Sequence, residues 1–428
     1  MLKLLIALIQ VMIDSKRSVT SLEKIREKRL KAILINAYEN VPYYKEVMND
    51  VNYNPKTDFT GMDDLSKLPL LTKKILKGTG SESFIHKSFK EQLSSLFNDS
   101  TSGSTGTPLI IYRSKFERAL QIAKWLRVLF KNGYLPIQKV LSFTSPARLS
   151  EGKSLLQKFG LLRRLAVDYN LPASDSLCSI EKYKPEVVYG NRSSFDLLFD
   201  EMEKNNASIS FINFVIMTGE CVHEATKSKC RKLFNIEPVE TYGSVEMGIM
   251  AYGIQGQKGL ILNNDLTHFE FLKSDGTPAQ AGELARIVVT DLSGKIQPFI
   301  RYEQGDQVVF EDLTNQKGQV ERKIVKIVGR DDDVATLSDG SRITFLKFYE
   351  ALDVFLGLNQ FRVIQTEFDK FEVLLVTEKE YFEQNCDQIT QRLADFCSQD
   401  VTYELKLVSS IPQDPNGKIR FLISEVET

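Results

Sequence analysis

The stretch that decides the fold runs Asp99-Ser-Thr-Ser-Gly-Ser-Thr-Gly-Thr-Pro108 and continues into the apolar run Leu109-Ile-Ile-Tyr112. Glycine lets a backbone turn tightly and approach a ligand closely, and hydroxyl and amide groups can surround phosphate oxygens. The apolar run predicts a strand directly after the loop. The pattern therefore favours a phosphate-binding loop, with a flexible linker as the alternative. The small residues of this loop are Thr101, Ser102, Gly103, Ser104, Thr105, Gly106 and Thr107.

Short apolar strands and amphipathic helices alternate on the carboxyl side of this loop. Such alternation is typical of an α/β protein with parallel strands. The pattern predicts strands over residues 140–144, 187–189 and 214–217, and helices over residues 115–130, 155–162 and 194–204.

The residue pattern changes near residue 258 from alternating strands and helices to short apolar segments separated by turn residues. These segments predict an antiparallel or barrel-like subdomain. A further α+β unit is predicted after Arg330. The acidic run Asp331-Asp332-Asp333 marks the predicted boundary, although a plain acidic turn is the alternative. We therefore predict a large N-terminal α/β domain over residues 1–330 and a small C-terminal domain over residues 331–428.

The bulk composition of the 428 residues is that of an ordinary globular protein, with a net charge of −1 that offers no long-range attraction for nucleic acid. Five cysteines without Cys-x-x-Cys spacing predict free thiols in a reducing cytoplasm. The apolar run Met1–Ile13 is too short to span a bilayer. It predicts an amphipathic or buried helix, with peripheral membrane contact as the alternative.

The small-residue loop is also recognisable as a motif. The run Ser102-Gly-Ser-Thr-Gly-Thr-Pro108 resembles the phosphate-loop signature of the adenylate-forming superfamily, which includes acyl-CoA synthetases, luciferases and peptide-synthetase adenylation domains. The resemblance implies ATP as a substrate and the fold of that superfamily, in which a small C-terminal domain is mobile.

Further motifs of the superfamily follow in the same order. Thr241-Tyr-Gly-Ser-Val-Glu246 resembles its Tyr-Gly-x-x-Glu motif, which implies that Tyr242 stacks on adenine and that Glu246 helps to hold Mg²⁺. The run Thr218-Gly-Glu220 stands where the superfamily's backbone lines the adenine pocket. The resemblance therefore implies nucleotide-binding roles for these segments, with the residues Gly219, Glu220, Tyr242, Gly243 and Ser244.

Three motifs near the carboxyl end complete the resemblance. Arg301-Tyr-Glu-Gln-Gly-Asp306 resembles the Tyr-Arg-Thr-Gly-Asp motif, which implies that Asp306 binds the ribose hydroxyls. Gly329-Arg330-Asp-Asp-Asp333 resembles the hinge motif, which implies a ribose contact for Arg330 and the pivot at Asp332. Pro415-Asn-Gly-Lys-Ile-Arg420 resembles the C-terminal lysine motif, which implies that Lys418 is catalytic together with Glu246.

Other segments narrow the resemblance to one branch. Ala37-Tyr-Glu-Asn-Val-Pro-Tyr-Tyr44, Asp64-Leu-Ser-Lys-Leu-Pro69 and Tyr189-Gly-Asn-Arg-Ser-Ser194 are similar to phenylacetate-CoA ligases and CapK-type capsule-biosynthesis proteins. Many relatives carry Cys/His zinc ligands after the Tyr-Gly-x-x-Glu motif. This chain has no cysteine between Cys230 and Cys386, and His268 stands alone, so we expect no structural zinc.

Three functions are compatible with these residues. The first is acid activation as an acyl-adenylate and acyl transfer to a sugar amine or hydroxyl, in polysaccharide biosynthesis. The second is an acyl-CoA ligase acting with coenzyme A. The third is a non-catalytic nucleotide-binding relative. The segment Ala335-Thr-Leu-Ser-Asp-Gly-Ser-Arg342, with its acidic Asp339, departs from the coenzyme A ligase pattern and resembles the CapK-type branch.

Overall fold

The computed structural model describes residues 2–100, 109–146, 149, 155–222, 224–314, 318–330, 334–352, 354–355, 357–412 and 420–426. The α-helices of these residues are, in chain order, α1 (Leu2–Asp14), α2 (Val19–Asn40), α3 (Pro42–Asp50), α4 (Lys73–Gly78), α5 (Lys115–Lys131), α6 (Leu155–Lys158), α7 (Ala173–Tyr183), α8 (Arg192–Lys204), α9 (Glu224–Phe234), α10 (Phe345–Leu352) and α11 (Lys379–Phe396). None of the helices in these ranges is both long enough and apolar enough to cross a bilayer.

The strands are, in chain order, β1 (Phe97–Ser100), β2 (Ile110–Arg113), β3 (Lys139–Thr144), β4 (Arg163–Asp168), β5 (Val187–Asn191), β6 (Phe214–Thr218), β7 (Val239–Ser244), β8 (Gly248–Tyr252), β9 (Leu260–Leu262), β10 (Thr267–Leu272), β11 (Leu284–Asp291), β12 (Tyr302–Thr314), β13 (Val320–Arg330), β14 (Val334–Thr336), β15 (Arg342–Thr344), β16 (Gln360–Glu367), β17 (Lys370–Val376), β18 (Thr402–Leu407) and β19 (Leu422–Ser424). The chain divides into two compact units. The first comprises Met1–Gly133, Tyr242–Ile254 and Lys258–Lys326, and the second comprises Tyr134–Thr241, Gln255–Gln257 and Ile327–Thr428.

The first unit holds most of the antiparallel strands. Strand β11 pairs with β10 and β12, and β9 pairs with β8 and β13, all antiparallel.

Helix α5 begins with a capping box. The Ser114 side chain accepts a hydrogen bond from the Glu117 amide, and the Glu117 carboxylate accepts one from the Ser114 amide. The apolar face of α5 packs on α1 through Ala7, Val11 and Ala123.

The second unit contains a parallel sheet in the order β4-β3-β5-β6-β7. Its core packs α7 and α8 against the sheet and includes Phe195, Phe199 and Met217, which are fully buried. In a parallel sheet of this kind the carboxyl ends of the strands share one edge, where ligands of α/β proteins bind. Strands β5 and β6 end at Asn191 and Thr218, beside segments that the sequence predicts to be functional.

The C-terminal part of the second unit is the predicted α+β structure. A hairpin joins β14 and β15, and a four-stranded sheet follows in the order β18-β17-β16-β19. Helices α10 and α11 cover this sheet around Phe348, Phe371 and Leu393. The boundary predicted at residue 330 stays a prediction, and its acidic run at residues 331–333 lies outside the described residues.

The predicted class, α/β with parallel strands and a β-rich part, is confirmed by these sheets. The helix predicted over residues 155–162 is wrong in extent, because α6 ends at Lys158. Gly160 and Leu162 both have positive φ angles, of 79° and 51°, which a continuous α-helix cannot contain. The chain turns there and enters β4, which the basic pair Arg163-Arg164 concealed.

Candidate active site

The predicted phosphate loop is bounded by two paired strands. Residues 101–107 lie outside the described residues, but β1 and β2 on either side pair antiparallel, with Ser100 opposite Ile110. Arg113 at the end of β2 forms a 2.9 Å ion pair with Asp99 in β1. Both ends of the loop are thus held together, as a loop between two strands requires.

Arg113 also connects the base of this loop to the Tyr-Gly-x-x-Glu segment. Its guanidinium donates to the backbone carbonyls of Val245 and Glu246, the latter at 3.0 Å. The side chain is buried, and this burial lowers its pKa, an effect that the Asp99 charge opposes. Buried charge is costly unless it is paired and hydrogen-bonded. Arg113 therefore fixes the carbonyls on either side of the predicted metal ligand.

The Tyr242–Glu246 segment comprises the last three residues of β7 and the beginning of the turn that leads into β8. A Cβ on Gly243 would lie 2.4 Å from the Gly248 carbonyl oxygen, so only glycine fits this position. Ser244 accepts a 3.2 Å hydrogen bond from the Met247 amide and closes the turn. The backbone of the motif is consequently set by a close approach of the two strands.

Two tyrosine–carboxylate pairs join this segment to the predicted ribose-binding motif. The Tyr242 hydroxyl donates to Asp306 Oδ2 at 2.7 Å, and the Tyr302 hydroxyl donates to Glu246 Oε1 at 2.7 Å. Each motif thus supplies the tyrosine for the other motif's carboxylate. Three of the four residues, Tyr242, Tyr302 and Glu246, are at most 6% exposed, so the pairs act in a low-dielectric environment where hydrogen bonds are strong. The structure therefore brings together Tyr242, Glu246 and Asp306, which the sequence had placed in separate motifs.

A small cavity of ≈ 10 Å³ lies beside Glu246, about the space that one water molecule or ion needs. Its lining includes the Glu117 and Asp291 carboxylates, which already accept backbone amides of Lys295 and Ser293. No group of three His, Cys, Asp or Glu side chains in the described ranges could hold a metal by itself. Mg²⁺ typically takes one or two carboxylates and completes its shell with water and substrate phosphates. Glu246 beside this cavity fits that mode of binding.

Lys124 on α5 supports the same segment from the helix side. Its ammonium is fully buried and donates to the Met247 carbonyl at 2.9 Å. Burial lowers the pKa of this lysine, and the Asp291 and Asp265 charges oppose that shift. Glu117, Gln121 and Lys124 lie about one helical turn apart, so these three polar side chains share one side of α5.

The second unit carries the predicted Gly219–Glu220 segment at the carboxyl end of β6. Gly219 adopts a φ of 75°, which glycine tolerates without steric cost. The Glu220 carboxylate accepts from the Ser193 amide at 2.7 Å and from the Ser193 hydroxyl at 2.6 Å. Glu220 thereby anchors the first turn of α8, in keeping with the preference for negative charge at a helix N-terminus.

Arg192 at the start of α8 is fully buried. Its guanidinium pairs with Asp196, and its carbon Cζ lies 4.9 Å from the centroid of the Phe421 ring. Phe421 stands three positions after the predicted catalytic Lys418. Burial raises the pKa of Asp196, and the Arg192 charge together with a hydrogen bond from Thr226 opposes that shift.

Several predicted residues receive no structural description. Lys418 and Asp332 lie outside the described residues, as does the whole loop from Thr101 to Thr107. Arg330 is the last residue of β13, and only its backbone is described. The roles of these residues remain predictions.

Sequence reasoning missed three supporting side chains, Arg113, Lys124 and Tyr302. Tyr302 stands inside a recognised motif, so its position could have been noted. Arg113 and Lys124 donate to carbonyls more than 120 positions away, and no local sequence pattern indicates such partners. Arg301 of the same motif is engaged elsewhere, because its guanidinium pairs with Glu270 at 2.8 Å.

Comparison with known proteins gives three findings. Residues 336–425 match the family described as the CapK C-terminal domain. The chain is 21% identical over 433 residues to Protein CapK from Staphylococcus aureus, covering 96% of this chain and 91% of that protein. It is 23% identical over 328 residues to a phenylacetate-coenzyme A ligase from Thermus thermophilus, covering 73% of this chain and 71% of the ligase.

Among solved structures, a 2-hydroxyisobutyryl-CoA ligase in the postadenylation state, in complex with 2-HIB-AMP, matches with a TM-score of 0.79. The match covers 95% of this chain and 90% of the ligase, at 18% sequence identity. The resemblance to phenylacetate-CoA ligases and CapK-type proteins is thereby confirmed. The fold expected from that resemblance, the one shared by adenylate-forming ligases, is confirmed as well.

Proposed function

We propose, from a fold shared with acyl-adenylate-forming CoA ligases, that this chain is an ATP-dependent ligase that activates a carboxylic acid and transfers its acyl group to an acceptor. The observation that carries the proposal is the crossed pairing of Tyr242 with Asp306 and of Tyr302 with Glu246. These bonds hold together a ring suited to adenine, a carboxylate suited to ribose and a carboxylate suited to a cation.

In the first half-reaction a carboxylate oxygen of the acid attacks the α-phosphorus of ATP. The bond from that phosphorus to the bridging oxygen of the β-phosphate breaks, and pyrophosphate leaves with the electron pair. Tyr242 stacks on adenine, Asp306 and Arg330 hold the ribose, and the loop from Thr101 to Thr107 binds the phosphates. Gly219 and Glu220 contribute to the adenine pocket. Lys418 stabilises the negative charge that develops between the two reactants.

Mg²⁺ bound to Glu246 would neutralise charge on the phosphates. The protein's own contribution is to fix the Glu246 carboxylate through Tyr302 and the adjacent carbonyls through Arg113 and Lys124. A ligand held in this way needs little reorganisation when the cation and nucleotide arrive.

In the second half-reaction the nucleophile of the acceptor attacks the acyl carbonyl carbon. The bond from that carbon to the phosphate oxygen breaks, AMP leaves with the electron pair, and the proton of the nucleophile passes to solvent. We assign residues 331–428 to a mobile C-terminal domain that turns about Asp332, withdrawing Lys418 and admitting the acceptor. Hinge motions of this kind commonly separate two chemical steps in one enzyme.

We propose that the reaction takes place in the cytoplasm, where ATP is abundant. The five cysteines, all in described positions and all free thiols, fit a reducing compartment.

For the acceptor we favour an amine or hydroxyl of a sugar, as part of polysaccharide biosynthesis. The similarity to CapK extends over 96% of this chain, whereas the similarity to the Thermus ligase covers 73%. The turn between β14 and β15 also carries an exposed carboxylate, Asp339. Hydrogen bonds from Ser341 lower the pKa of that carboxyl, so it stays ionised at neutral pH.

Coenzyme A is the second candidate acceptor, because the proteins similar to this chain include phenylacetate-CoA ligases from Thermus thermophilus and Escherichia coli. The two acceptors differ in the product. A thioester forms with coenzyme A, and an amide or ester forms with a sugar. Incubation with ATP, Mg²⁺ and a panel of acids, with each acceptor in turn, separates them by mass spectrometry.

The adenylation step is tested by trapping acyl-adenylates with hydroxylamine over a panel of carboxylic and amino acids. With an acid that reacts, Lys418→Ala should abolish ATP–pyrophosphate exchange and leave ATP binding by calorimetry largely intact. Lys379→Ala, at an exposed lysine on α11, is the matched control and should exchange normally. Exchange by Lys418→Ala at the wild-type rate would refute the assignment. Unaltered ATP affinity in Asp306→Ala would refute the ribose site.

A further inference from the structure

Helix α1 is apolar on two opposite faces. One face packs against α5, where Ala7 and Val11 are fully buried beside Ala123. A surface helix of a globular protein usually turns a polar face to water. The outward face of α1 instead presents large aliphatic side chains that are 47–70% exposed, namely Leu2, Leu5, Ile6, Ile9 and Ile13.

We call these five side chains the α1 stripe. Their spacing of three, one, three and four residues places them along one side of the helix. Scattered exposed aliphatic residues are common on protein surfaces, but a contiguous row is typical of an interaction site. Because α1 is held on α5 by its other face, the stripe stays directed outwards.

The chain in and directly after α1 contains more basic than acidic residues. Residues 2–31 contain eight lysines and arginines against three acidic residues, in a chain whose net charge is −1. Of the three acidic residues, Asp14 is buried and paired with Arg17 and Arg29. Exposed lysines lie at both ends of α1, namely Lys3 and Lys16, whereas on α2 the exposed Lys24, Lys28 and Lys31 alternate with the exposed Glu23 and Glu27.

We propose that α1 lies in the plane of an anionic lipid bilayer, with the α1 stripe at the boundary between headgroups and acyl chains. A helix of 13 residues is about 20 Å long, which is shorter than the hydrocarbon core of about 30 Å. It therefore rests on the surface and does not cross. Apolar side chains on a helix with an exposed lysine at each end, Lys3 and Lys16, match the two attractions that interfacial helices use.

A second copy of the chain is the other occupant to consider. Two such faces placed together would bring the lysines at the ends of the two helices, Lys3 and Lys16, close to one another, and like charges oppose that pairing. Anionic headgroups neutralise the same lysines. The charge distribution thus favours lipid over self-association.

The test is co-sedimentation with vesicles of phosphatidylcholine alone or mixed with phosphatidylglycerol. We expect binding to the mixed vesicles, weaker binding to phosphatidylcholine, and release at high salt. The double variant Ile6→Ser/Ile9→Ser should bind at least about tenfold more weakly, because two apolar side chains are lost from the interface. Leu135→Ser/Ile137→Ser, at aliphatic residues 56% and 61% exposed elsewhere, is the matched control and should bind as the wild type does.

The positions chosen are exposed, so ATP–pyrophosphate exchange and the thermal midpoint of Ile6→Ser/Ile9→Ser should equal those of the wild type. Those readouts test the proposed enzyme separately from the membrane contact. Three results would overturn the inference: a wild-type chain that stays in the supernatant, a stripe variant that binds as well as the wild type, or a wild-type dimer in sedimentation velocity that the stripe variant dissociates.

Discussion

Tyr242 and Asp306, 64 positions apart, are joined by a 2.7 Å hydrogen bond in which the phenol donates to the carboxylate. The bond orients an aromatic ring and a carboxylate that are proposed to bind opposite ends of one nucleoside. Its loss should therefore disturb both contacts.

Tyr242→Phe should weaken ATP binding about tenfold or more. A hydrogen bond to a charged group contributes about 1.5–3 kcal/mol, and the ring itself remains for stacking. Calorimetry with ATP measures the change. Tyr134→Phe removes a buried hydroxyl that donates to the Gln138 carbonyl outside the motifs, and it should leave ATP affinity unaltered. Equal affinities in the two variants would contradict the role of Tyr242.

Tyr302→Phe should raise the Mg²⁺ concentration needed for half-maximal exchange, by about tenfold. The Glu246 carboxylate would lose its 2.7 Å donor and with it a fixed orientation toward the cavity. The measurement is the rate as a function of Mg²⁺ at saturating ATP. A shift in ATP affinity without any shift in Mg²⁺ dependence would show that the bond serves the nucleotide and not the cation.

Gly243→Ala should destabilise the protein by about 1–3 kcal/mol, the usual cost of forcing extra atoms into a packed site. The added Cβ would stand 2.4 Å from the Gly248 carbonyl oxygen. Gly78→Ala is the matched control, since a Cβ there meets no atom within 4 Å. Urea denaturation measures the free energy of unfolding of both variants. Equal values for Gly243→Ala and Gly78→Ala would contradict the prediction.

His268 should make the folded state sensitive to mild acid. Burial, together with the Arg26 and Arg301 charges, lowers the pKa of His268 from 6.5 to about 3, and Arg26 lies 2.8 Å from its Nδ1. Between those two pH values the unfolded chain binds a proton that the folded chain does not, so the free energy of unfolding falls as the pH falls.

His268→Asn retains a side-chain acceptor but cannot titrate in this range. Urea denaturation at pH 7 and pH 5 should therefore show a smaller acid-induced loss of stability in His268→Asn than in the wild type. An identical loss in both proteins would assign the pH sensitivity to other groups.

Much of the fold could be predicted from periodicity alone. Helix α5 has a cap, a 3.6-residue pattern and a charged terminus, all local properties, and it was predicted within one residue of its observed ends. Strand β4 was missed because its burial is only partial and two arginines begin it. Hydrogen bonds to β3 stabilise β4 as a strand, and a local stretch of sequence does not show which segment will pair with it.

The candidate site also contains residues that the sequence predicts and residues that it does not. Tyr242, Glu246 and Asp306 were found because each belongs to a motif of fixed spacing. The side chains that hold them are set by long-range contacts, as with Lys124 and the Met247 carbonyl 123 positions later. A single sequence does not show which distant carbonyl accepts a hydrogen bond from a buried lysine.

The crossed tyrosine–carboxylate pairs have a thermodynamic consequence. Each pair spans the same two backbone segments, so a nucleoside held at Asp306, as proposed, should also restrain the carboxylate of Glu246. Nucleoside and cation should then bind with positive cooperativity transmitted by the protein itself. Thermodynamic linkage makes that coupling reciprocal. The factor by which Mg²⁺ increases the affinity for AMP must therefore equal the factor by which AMP increases the affinity for Mg²⁺.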